Sequence, residues 1–173
     1  GWSGCTSSNA TQCTLSDIQA NTTVTATFVL VRKTYTGPLA TGNGTGTVTV
    51  AWGGDTCGFS DARFIPLTSV ATAPPPGNDF PYGLFTFRLS HCTVGGTVTL
   101  SIRYPAVLAS DTRYWKYGPT PGQADHWYLF SQASIQGDTV TFNLTDGGPG
   151  DSDLTADGTI SDPSGPAVPP SAT

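Results

Sequence analysis

Five of the twelve aspartates fall between positions 146 and 162: Asp146, Asp151, Asp153, Asp157 and Asp162, with glycines at 147, 148, 150 and 158. Hard carboxylate oxygens on a backbone that glycine allows to bend are what Ca²⁺ prefers. Without a cation, such carboxylates repel one another at short range. The segment lacks the bidentate Glu that closes an EF-hand loop, and the chain has no Glu at all. Two expectations stand side by side. Asp151, Asp153 and Asp157, with Asp146, hold one calcium ion; or Asp and Gly here only make turns and Asx caps.

A second group is aromatic. Tyr114, Trp115, Tyr117, Trp127, Tyr128 and Phe130 flank a Gly/Pro loop that holds Asp125 and His126. Aromatic faces beside polar groups stack on sugar rings, which makes Trp115, Tyr117 and Trp127 a candidate glycan platform. The same residue types also pack the end of a sandwich and cover a long loop. Catalysis has little to build on. No GxSxG, HExxH or P-loop pattern occurs, and only His91 and His126 offer an imidazole base. Asp125 and His126 are neighbours, and neighbours in a strand point to opposite faces. The chain reads as a non-enzyme.

The four cysteines, Cys5, Cys13, Cys57 and Cys92, contain no CxxC pair, which argues against a zinc site. An even number in a chain with only two lysines points to disulfides and an oxidising compartment. Of the three possible connectivities, local closure favours Cys5–Cys13 and Cys57–Cys92. Four buried free thiols are the alternative. The expected location is extracellular or at a cell surface.

The elements that must position these residues follow from composition. Among 173 residues there are 28 Thr, 21 Gly and 14 Pro, no Met and no Glu. The straight-chain helix formers are almost missing, while Thr favours strands and Gly and Pro mark turns. That excludes a helical bundle or an α/β nucleotide-binding fold. A net charge of −5 argues against nucleic acid as a partner. No apolar run approaches the ~20 residues of a membrane helix.

Alternation with period two predicts strands over 22–31, 47–52, 84–89, 97–104, 127–135 and 139–144, with short ones near 63–67 and 114–117. Gly137-Asp138 predicts a two-residue hairpin turn and Gly95-Gly96 another tight turn. Residues 37–46 and 71–81 read as loops, and 162–173 as a Pro-rich tail with no reason to fold alone. The fold expected is all-β: a two-sheet antiparallel sandwich, Ig-like or jelly-roll-like, over 32–161. A strand segment over 1–31 precedes it and an irregular tail follows.

Two resemblances are carried by particular segments. Residues 1–31 contain GWSG (1–4), the pair Cys5 and Cys13, and Val24–Phe28 reading VTATF. They resemble the C-terminal end of a bacterial internalin-type B repeat. From about residue 45 onward the chain resembles the choice-of-anchor modules of bacterial surface proteins. The matching segments are Phe80–Phe85, Tyr114–Pro119, Thr139–Phe142 and, most specifically, Asp146–Ile160. The resemblance implies a non-enzymatic extracellular domain placed just before a sorting signal, and an end at Ala172-Thr173 fits removal of such a signal. Gly1 is not an initiator, so the chain is expected to be a processed or trimmed product.

A strand from an incomplete repeat needs a sheet edge. Val24, Ala26, Phe28 and Leu30 form one apolar face that a neighbouring copy could accept by strand addition. The expected role is therefore a structural protein that self-assembles into a filament or surface polymer, with the proline tail lying along a subunit. A calcium-stabilised adhesin or carbohydrate-binding module, recognising a glycan or host surface, is the alternative.

Overall fold

A computed structural model describes residues 2–9, 12–27 and 30–169. The chain divides into two compact units, Gly1–Leu30 and Val31–Thr173. In the first, Trp2–Ser3 (β1) pairs with Thr25–Ala26 (β4), and Ser7–Ser8 (β2) with Cys13–Thr14 (β3). The Cys5–Cys13 disulfide closes this unit across a separation of 8 residues. So small a segment of Thr and Ser buries little apolar surface, and its strands stay two residues long. The continuous strand expected over 22–31 is therefore reduced to Thr25–Ala26 among the described residues. Val24 and Ala26 are half-buried, Leu30 is 86% exposed, and Phe28 lies outside the described residues.

The second unit is a two-sheet antiparallel sandwich. Its strands are Thr34–Pro38 (β5), Thr45–Trp52 (β6), Gly58–Ile65 (β7), Leu84–Ser90 (β8), Thr97–Arg103 (β9), Arg113–Thr120 (β10), Gln123–Leu129 (β11), Ser134–Gln136 (β12), Thr139–Thr145 (β13) and Ile160–Ala167 (β14). One sheet has the order β11-β10-β14-β8-β7, the other β12-β13-β9-β6-β5. Alternation explains the core. Val48 and Val50, then Val98, Leu100 and Ile102, then Val140, Phe142 and Leu144 turn inward from one sheet. Phe85, Phe87, Leu89, Tyr114 and Ile160 meet them from the other, with Thr and Ser taking much of the opposite faces. Gly137-Asp138 turns β12 into β13, with Gly137 at φ +60°, a conformation glycine takes without steric cost. The Cys57–Cys92 disulfide extends the ladder between β7 and β8 just beyond the Gly58–Ser90 pair. No helix among the described residues is long and apolar enough to cross a membrane.

Three sequence expectations are corrected here. The stretch read as an irregular tail from residue 162 supplies most of β14, a central strand flanked by β8 and β10. Its prolines are accommodated because the two ladders overlap only at Ser164. Pro163 is paired on the β8 side and Pro166 on the β10 side, so each has a flank where a missing N–H breaks no ladder bond. The loop read over 37–46 begins as strand, since Gly37 and Pro38 pair with Gly46 and Thr45. The single strand read over 127–135 is two, β11 and β12, which lie in different sheets.

Candidate functional site

The most unusual chemistry of the molecule lies inside the sandwich. In β10 the alternation that buries Tyr114 and Gly118 also buries the residue between them in register, Lys116, whose side chain has no exposed surface. In β14 the face that buries Ile160 also carries Asp162 and Ser164 inward. The two strands are neighbours, with Lys116 opposite Ser164. Lys116 Nζ donates to Asp162 Oδ2, forming a salt bridge with both side chains buried. Ser164 Oγ donates to the same oxygen at 2.7 Å and also lies 3.0 Å from the Tyr114 hydroxyl. Around this chain of polar groups the walls are aromatic: Nζ sits 4.6 Å from the ring centroids of both Phe130 and Phe142.

A second carboxylate closes in on the pair. Asp151 is fully buried in the 146–159 connection. Its Oδ2 accepts from Gly147 N–H at 2.9 Å and its Oδ1 from Ser161 N–H at 3.1 Å, which ties it to the start of β14. The adjacent Gly150, at φ +96°, lies against the lysine stem: a Cβ there would stand 3.3 Å from Lys116 Cε and 2.7 Å from Leu144 Cδ2. Glycine lets the loop cover Lys116 this closely. Burial drives the electrostatics. It pushes the Lys116 amine below its ordinary value, against the pull of Asp162 and Asp151, and pushes the Asp162 carboxyl up, against Lys116 and Ser164. It also pushes Asp151 up to about 6, opposed by its two backbone donors and helped by Asp153 and Asp146. The amine contacts the Asp162 carboxyl and feels the Asp151 charge from further off, and all three shifts favour neutral forms.

The four aspartates considered for calcium each accept hydrogen bonds from backbone N–H groups along the 146–159 connection. Asp146 Oδ2 accepts from Gly95 and Gly158 N–H, at 2.8 and 2.9 Å, and so joins two loops. Asp153 and Asp157 accept from the N–H two residues on, Thr155 and Thr159, as Asx turns do. Among the described residues no three metal-capable side chains gather at one point. The buried Asp146 Oδ1 is without a hydrogen-bond partner.

The aromatic group is a packed wall. Trp127 lies 5.3 Å from Phe80 and 5.4 Å from Tyr117, centroid to centroid, and its indole N–H donates to Thr72 O. Trp115 and Trp127 both pack on the satellite cluster of Phe80, Leu84 and Ala167, and Tyr117 is buried. His91 is exposed, while His126 Nδ1 lies 2.8 Å from its neighbour Ala124 O. A surface groove of about 430 Å³ is lined by Ser134, Gln136, Thr139 and Thr141, uncharged side chains throughout.

Both expected disulfides form, Cys5–Cys13 and Cys57–Cys92. Reading by residue type missed Lys116 and Asp162 as partners. Period-two counting from Tyr114 places Lys116 on the inward face, but Asp162 lay in the segment read as tail, so the lysine had no visible mate. Comparison with protein-family models, curated proteins and solved structures finds no match.

Proposed function

We propose that this chain is a non-enzymatic structural module of an extracellular or cell-surface protein, built to hold its fold outside the cell. The observation that carries the reading is the buried Lys116–Asp162 tie between β10 and the central strand β14, in a sheet whose β7–β8 ladder is also fastened by Cys57–Cys92. A buried ion pair is a costly device compared with apolar packing, so its presence favours a demand for a locked arrangement. The disulfides fit an oxidising compartment. The resemblance of 146–160 and the other quoted segments to choice-of-anchor modules supports the same placement. Self-assembly through the N-terminal segment belongs to the same proposal; within its own unit Thr25–Ala26 pairs with Trp2–Ser3 over two residues.

Antibodies raised against the folded sandwich should label intact, unpermeabilised cells of the source organism or capture the protein from its medium. Label that appears only after lysis would overturn the extracellular reading.

A further inference from the structure

We propose that Lys116 and Asp162 condense to an intramolecular amide, Nζ bonded to Cγ, with the proton passing from the attacking amine to the departing oxygen that it already touches. The bond would make the β10–β14 tie covalent.

The geometry supplies what such a step needs. Nucleophile and electrophile are in hydrogen-bond contact on neighbouring strands, held by a ladder that pairs Lys116 with Ser164. Reactants fixed this way gain effective molarities of up to about 10⁵–10⁸ M over the free groups. Phe130 and Phe142 flank the amine, the Gly150 backbone lies against its stem, and both reacting side chains are at most 2% exposed, so bulk water is kept from the pocket. The protonation states also suit the reaction. An ammonium cannot attack and a carboxylate resists attack, whereas burial shifts Lys116 down and Asp162 up, toward amine and acid.

The step balances without any further reagent. The Nζ lone pair attacks Cγ of the protonated Asp162 carboxyl, held through Oδ2 by Ser164 and Lys116. One Nζ proton passes to Asp162 Oδ2, the oxygen that Nζ already contacts. The bond between Cγ and this oxygen breaks and water leaves. Nζ keeps one hydrogen in the new amide, and nothing is oxidised or reduced. The product also relieves the electrostatic burden of the site. Two groups that are costly to bury as ions become one neutral amide.

The test is mass spectrometry of the full-length chain purified folded, then denatured and reduced. The expected mass is that of the sequence less one water, with a proteolytic fragment joining the peptide of Lys116 to that of Asp162. Locating the loss is essential, because a succinimide at Asp146-Gly147 or Asp157-Gly158 also sheds one water but leaves both peptides separate; that pattern overturns the proposal. So does the undiminished sequence mass in the folded wild-type protein. Lys116→Arg, which keeps a cation but has no primary amine, is expected to keep its full sequence mass. Loss of one water in K116R, with the peptide of position 116 joined to that of Asp162, overturns the proposal.

Discussion

Lys116→Met should lower the free energy of unfolding by about 3–5 kcal/mol, the cost of leaving one partner of a buried charge pair behind. Methionine retains most of the apolar stem that Phe130, Phe142 and Gly150 enclose, so packing changes little. Asp162 would be left with the Ser164 hydroxyl as its hydrogen-bond donor in a pocket with no cation. The double variant K116M/D162L separates two physical explanations. If only the burial of charge matters, removing both partners restores stability or improves it. If the two side chains are covalently joined, the double variant stays below wild type. The lost link closes a loop of 46 residues, for which chain entropy sets a ceiling of about 4 kcal/mol. Urea midpoints at unchanged m-value would read both variants.

The second large effect is expected at Cys57–Cys92. The bond spans 35 residues, and removing it as C57A/C92A should cost about 2–4 kcal/mol. Cys57 is completely buried and Cys92 nearly so, which means the alanine pair also leaves a small void next to Gly53 and Val98. The variant should still fold, because the β7–β8 ladder that the disulfide extends runs from Gly58–Ser90 to Ile65–Leu84. A thermal melt indistinguishable from wild type would mean that the loop between these strands is already as constrained without the bond.

Much of the sandwich was legible from alternation alone. β6, β8, β9 and β13 alternate over most of their length between large apolar residues and polar ones, chiefly Thr, Ser, Arg and Asn, because each has one face on the core and one toward water. The strands that escaped are those whose composition imitates loops. Gly37 and Pro38 hide the end of β5, and β14 carries two prolines, a glycine and, besides the prolines, only Ile160 and Ala167 as apolar side chains. Such strands are held by their neighbours on either side, a property no local window contains. The candidate site was less legible for the same reason. The acidic segment was visible by residue type, yet the roles of its members depend on which N–H each carboxylate meets. Asp151 faces Ser161 and the lysine pocket; Asp153 only caps its own turn. A buried lysine becomes meaningful only once its partner strand is known.

The central claim, that Lys116 is bound to Asp162 within the sandwich, meets its most direct test in the chain's own lysines. There are only two, and Lys33 lies at the surface, donating to the carbonyls of Trp52 and Gly54. Unfolding removes the protection that burial gives an amine, but it does not restore an amine that has become an amide. After full denaturation and reduction, an amine-specific acylating reagent should modify Lys33 to completion and leave Lys116 unmodified. Acylation of Lys116 to the same extent as Lys33 would contradict the covalent tie.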